Sequence, residues 1–145
     1  MTEKTPEKKN STESAKSEMK CQGNDILIYA CSGASNTGQI ANQVAKDLTI
    51  SGIGKMACLT VIGIGSPSHI KNAKEAKIRV VIDGCQTICA KKMLEREGIK
   101  PDLSFVIADM GVKKSPGPVF EANDVKTASE KITAKIKEYV KEKCK

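Results

Sequence analysis

Three short, almost uninterrupted apolar runs, Ile26 to Ala30, Ile78 to Ile82 and Leu103 to Ala108, constrain this chain more than any other feature. A strand with one wet face alternates apolar and polar residues. A run without that alternation needs cover on both faces, as a central parallel strand has. Each run is followed by turn residues and then by helical periodicity. Ile40, Val44 and Leu48 recur every four residues after the first run. Val125, Ala128, Ile132, Ile136 and Tyr139 or Val140 mark the inward face of a last helix that Asp124 is placed to cap. Lys55 to Thr60 reads as a further strand, Ser68 to Ala76 as a short helix, and Gln86 to Glu97 as a helix ended by Gly98. Alternating β and α units give a parallel sheet with right-handed crossovers and helices on both faces. The expected fold is therefore α/β, a flavodoxin-like three-layer sandwich with strand order 2-1-3-4.

Residues 1–24 are Lys, Glu, Ser and Thr with almost nothing apolar, so they cannot bury enough surface to offset the entropy of ordering. A disordered polar tail is expected there, followed by a single α/β domain over residues 25–145, since 145 residues support one core and not two. No segment approaches the ~20 apolar residues that span a bilayer, and the N-terminus has no basic patch followed by an apolar stretch. This predicts a cytoplasmic protein with reduced thiols, whose six cysteines serve metal or thiol chemistry in place of a disulfide framework. Cys21 in the tail and the penultimate Cys144 stand alone, and exposed positions without function are expected for both. The net charge of +7 is mostly lysine, and with only 3% aromatic residues there is little to stack bases. No specific nucleic acid and no membrane are expected as partners. A metal ion is, together with a protein partner that the sequence does not identify.

The remaining cysteines fall where ligands bind in open α/β sheets, beyond the carboxyl ends of the strands. Cys31 follows the first strand, and Asp83-Gly84-Cys85 follows the third. Cys31, Cys58 and Cys85 lie at equal intervals, close to the length of one β-α unit. Cys58 depends on where the second strand ends. If that strand ran through Ile62, Cys58 would sit four residues below its end, about 13 Å away at ~3.3 Å per residue and too far to share an ion. If the strand stops near Leu59 and Thr60 to Ser66 is loop, Cys58 joins the others; otherwise it is a small core residue. Cys85 and Cys89, four apart at a predicted helix start, are placed to turn both sulfurs onto one metal, and the helix dipole there favours thiolate. Cys89 also fits a core position of that helix.

Several linked motifs resemble a known family: Ala30-Cys-Ser-Gly-Ala-Ser-Asn-Thr-Gly-Gln39, Met56-Ala-Cys-Leu59, Ile82-Asp-Gly-Cys85 with Cys89-Ala-Lys-Lys92, and Asp109-Met-Gly-Val-Lys-Lys114. In this order they look like the DGC-domain proteins, a prokaryotic family named for its Asp-Gly-Cys motif and regarded as zinc-binding through four chelating cysteines. The resemblance implies Cys31, Cys58, Cys85 and Cys89 as metal ligands and zinc as the metal. Many relatives carry a further cysteine three residues after the first, where Ala34 stands here.

Two functional classes follow. Four thiolates suit zinc, and they equally suit an iron–sulfur cluster. Alternatively, the chain is a thiol enzyme or a sulfur-transfer or redox protein using Cys31 and Cys85. Cys31 would be the nucleophile, in a Gly/Ser/Asn loop whose backbone N–H groups can hold an oxyanion. Phosphatase chemistry is not expected, because the arginine that would grip phosphate, separated from the cysteine by five residues, is replaced by Thr37. Gly52-Ile-Gly54 and Gly63-Ile-Gly65 are read as turns, and His69, the single histidine, as a surface residue. Asp83 and Asp109 close strands three and four and are expected to cap turns or helices. Lys113 and Lys114 would make the mouth electropositive if they point inward.

Overall fold

A computed structural model describes residues 21–144. Strands β1 (Ile26–Ala30), β2 (Lys55–Met56), β3 (Ile78–Asp83) and β4 (Leu103–Val106) alternate with helices α1 (Asn36–Ile50), α2 (Leu59–Gly63), α3 (Pro67–Glu75), α4 (Cys89–Arg96) and α5 (Ala122–Lys143). Short 3-10 turns cover Gly23–Asp25 and Ile107–Met110. The sheet is parallel, in the order β2-β1-β3-β4, as the apolar runs predict. No helix among the described residues is long and apolar enough to cross a membrane.

The double burial of the central strands divides by residue parity. Ile26, Ile28 and Ala30 of β1, with Ile78, Val80 and Ile82 of β3, pack against Ile40, Val44 and Leu48 of α1 and Val125, Ile132 and Ile136 of α5. The alternate residues Tyr29 and Val81 face Ile62 of α2, Ala73 of α3 and Leu94 of α4. Each Val, Leu or Ile among them contributes roughly 1.5–3 kcal/mol on burial. The outer strand β4 departs from the expected pattern. It ends at Val106, and its residues are exposed or half-buried because β4 lies at the sheet edge. The last helix also starts earlier than expected, with Glu121 at its N-cap and Asp124 inside its first turn.

Residues 1–20 of the expected tail lie outside the described residues, but Cys21 does not behave as an isolated thiol. It forms a disulfide with Cys144, 123 positions away in sequence. No local pattern announces such a pair. The 3-10 turn before β1 and the long α5 deliver the two half-buried cysteines to the amino-terminal edge of the sheet.

A polar cluster holds the same edge. Asp102 accepts the Arg79 N–H at 2.7 Å and lies 3.3 Å from Arg79 Nε, while Lys143 Nζ and Tyr139 OH approach its other oxygen at 3.2 and 3.4 Å. Arg79 also donates to the carbonyls of Ala73, Lys74 and Ala76, tying the end of α3 to β3. Burial opposes ionisation of Asp102, but the Arg79 N–H, the Lys143 ammonium and the Arg79 guanidinium outweigh it and hold the carboxyl below its ordinary range. A carboxyl depressed on folding contributes stability that is complete above its unfolded pKa of about 3.9 and is lost as the pH falls through the folded value. Asp102→Asn is expected to lower stability at neutral pH by about 1.5–3 kcal/mol. Denaturant titrations at neutral and acid pH should show the gap between variant and parent closing below about pH 4.

Candidate functional site

All four cysteines outside the disulfide are free, and each follows the carboxyl end of a strand. Strands β1 and β3 pair with Ala30 opposite Ile82, and the Cys31 N–H extends the ladder by donating to Ile82 O at 2.9 Å. Cys31 and Cys85 thus leave adjacent strands. Strand β2 stops at Met56, short of the expected Thr60, and its pairing ends as the Ala57 N–H donates to Ile28 O at 2.9 Å. Cys58 follows as the N-cap of α2, so residues 59–63 are a helical turn and not the expected loop. The Val61 N–H is the main cause holding the Cys58 thiol below its usual range; slight burial opposes it, and the Thr60 N–H and hydroxyl reinforce it.

The expected helix-face pairing of Cys85 and Cys89 does not form, because α4 begins at Cys89 and not at Gln86. Capping by Asp83 explains the late start. Its carboxylate reaches over the intervening loop to accept the Ala90 and Lys91 N–H groups at 2.8 and 3.2 Å. Burial raises the Asp83 carboxyl despite these two bonds. The loop left between Cys85 and Cys89 ends at Ile88, which has φ 45°, a left-handed conformation unfavourable for a β-branched residue.

Asp-Gly-Cys is therefore three linked requirements. Asp83 caps α4. Gly84 admits the first turn of α1, since a Cβ there would lie 2.6 Å from Gly38 N. Cys85 then carries the thiol out of the crowded backbone. Gly38 is constrained in turn, since its own Cβ would meet Gly33 N and O at 2.9 Å.

The β1–α1 loop is fastened from within. Ser35 caps α1 by accepting the Gly38 N–H at 3.3 Å, and Gln39 donates to the carbonyls of Ser32 and Gly33 at 3.3 and 2.8 Å. Asn36 holds the loop after β4, donating to Lys113 O at 2.9 Å and accepting the Ser115 N–H at 2.7 Å. Asn36 and Gln39 carry no role in the sequence reading; their only signal is their place in the Ser-Asn-Thr-Gly-Gln run. Asp109, expected as a cap, accepts a hydrogen bond from Gln86 Nε2.

The Asn36 clamp bears on the chemistry because it seats Lys114 over Cys85. Lys114 Nζ lies 3.4 Å and Thr87 Oγ1 3.5 Å from Cys85 Sγ. Thr87, by hydroxyl and N–H, is the main cause holding the Cys85 thiol below its usual range; slight burial opposes it and Lys114 reinforces it. The expectation of an acidic Cys85 keeps its direction, but its cause is these two residues and not a helix dipole. Lys114→Ala is expected to slow alkylation of Cys85 several-fold at neutral pH, with little change at Cys31. Timed iodoacetamide labelling with peptide mass spectrometry checks this.

Among the described residues, no three His, Cys, Asp or Glu side chains are grouped closely enough to hold one ion. The donors are nonetheless soft thiols on one edge, the chemistry that zinc or an iron–sulfur cluster takes. Loading would have to draw in side chains from separate loops.

A family model described as the DGC domain matches residues 27–132. The chain is also similar to the anaerobic and virulence modulator AnvM of Pseudomonas aeruginosa, 35% identical over 98 residues that span 68% of this chain and 75% of that protein. No solved structure matches.

Proposed function

The chain belongs to the DGC-domain family, and on that premise we propose that it is a soft-metal-binding protein whose thiolates, Cys31, Cys58, Cys85 and Cys89, take zinc. One observation carries the reading: the cysteines are sorted by edge. Cys21 and Cys144 are paired at the amino-terminal edge of the sheet, whereas all four at the carboxyl edge are free. Zinc would supply a cross-link between the loops that carry its ligands. Lys114 offsets the excess negative charge of several thiolates on a divalent ion, and Asn36 holds its loop in place for that task. The AnvM relative is named as a modulator, which favours a regulatory use of the site over a purely structural one.

A second reading rests on the Cys85–Lys114 contact. A thiolate stabilised by an ammonium 3.4 Å away is also a nucleophile, as sulfur transfer or disulfide exchange requires. Elemental analysis of protein purified anaerobically without added metal separates the readings. Near-stoichiometric zinc supports the first, and iron with acid-labile sulfide places a cluster on the same cysteines. Absence of metal with rapid alkylation at Cys85 supports the second.

A further inference from the structure

A recess of about 260 Å³ lies beside β2, on the side of the sheet that α2 and α3 cover, with Leu27, Val61 and Ile62 among its apolar walls. That volume is below the roughly 300–1,000 Å³ of sites for drug-sized ligands, so its occupant is small. Polar groups divide between its two ends. Strand β2 and the segment after it run from Lys55 towards Cys58, while α3 runs back from His69 to Asn72. Cys58 and His69 therefore share one end, and Lys55 and Asn72 the other, where both also border the neighbouring hollow. Lys55 pairs with Leu27 in register, which puts its side chain on the same face of the sheet as Leu27 and Tyr29. No acidic side chain lines the recess. Asp25 and Glu75 border the neighbouring hollow, but each has another lysine, Lys77 at 3.1 Å and Lys71 at 3.8 Å. Tyr29 supplies an independent signal. It is only 2% exposed and lines the recess, yet its hydroxyl meets no hydrogen-bond partner among the described residues, unlike that of Tyr139, which approaches Asp102. A buried phenol left unpaired is costly, and an acceptor in the recess removes that cost. We infer that the recess binds a small monocarboxylate with an apolar body. Its carboxylate accepts the Tyr29 O–H and faces the Lys55 ammonium, and its body lies along Val61 and Ile62 towards Cys58. This binding is independent of the metal-binding reading above, and an occupant would cover the Cys58 thiol.

Benzoate and the neutral benzyl alcohol, nearly equal in size, are the probes, titrated into the full chain with a chelator present so that neither ligates a metal. Methionine-methyl NMR follows Met56, which lines the recess, and timed iodoacetamide labelling with peptide mass spectrometry follows Cys58. Benzoate is expected to shift the Met56 methyl signal at roughly millimolar concentration, as fits so small a ligand. It should slow alkylation of Cys58 several-fold and leave Cys31 and Cys85 unchanged. Lys55→Gln, a change at an exposed position, is expected to weaken benzoate about tenfold and benzyl alcohol less than about twofold. Tyr29→Phe, which keeps the buried ring, is expected to weaken benzoate about fivefold. A Met56 signal and a Cys58 labelling rate that benzoate leaves unchanged would overturn the inference. Equal affinity for the two probes, or parent affinity for benzoate in both variants, would overturn it as well, since the carboxylate would then not be what the recess recognises.

Discussion

Replacing Cys144 with serine is expected to lower the stability of the oxidised protein by about 4 kcal/mol, because the lost bridge closes almost the whole described chain. Cys21 and Cys144 are 123 positions apart, and in the unfolded chain a cross-link over that distance removes much of the conformational freedom that folding must otherwise overcome. The thermal midpoint should fall by roughly 10–20 °C. Reduction of the parent with dithiothreitol should bring its midpoint to that of Cys144→Ser, and the variant should not respond to reductant. A parent midpoint indifferent to reductant would show that the bridge does not form. The disulfide ties the segment before β1 to the end of α5, on the edge opposite the free thiols.

Sheet order was legible in the sequence because double burial leaves a direct trace. Ile26 to Ala30 and Ile78 to Ile82 admit few polar residues, as a parallel strand covered on both faces should, whereas the similar run at Leu103 forms the edge strand β4. Boundaries were less legible where a side chain distant from the element decided them. The start of α4 is set by Asp83, six residues before Cys89, so the helical signal of residues 86–88 is overridden by a carboxylate already committed to the Ala90 and Lys91 N–H groups. The end of β2 is set by α2, whose five residues are too short to show a helical period. The mouth cysteines were visible as residue types after strands. Of the groups that tune them, Thr87 acts from two residues away in the same loop, but Asn36 and Lys114 in its seated position depend on contacts between the loops after β1, β3 and β4. The Cys21–Cys144 pair was hidden for the same reason at the largest separation, since two lone cysteines carry no spacing to read.

Cys85→Ser is expected to weaken zinc binding by more than about 100-fold, since a hydroxyl is a hard and poorly ionised substitute for a thiolate ligand. Lys114→Ala should weaken it by less, because it removes a compensating charge and no donor. Cys21→Ser, which alters only the opposite edge, should leave zinc affinity within about twofold of the parent once its lower stability is allowed for. Competition with a chromophoric chelator measures all three. The order of effects separates a thiolate site at the mouth from adventitious binding to any exposed cysteine. The most direct measurement is zinc-edge X-ray absorption on the loaded full-length protein, beside a variant with Cys31, Cys58, Cys85 and Cys89 all changed to serine. Sulfur scatterers near 2.3 Å in the parent, lost in the variant, are the predicted result. Only nitrogen and oxygen at about 2.0–2.1 Å, or a spectrum that the four substitutions leave unchanged, would contradict it.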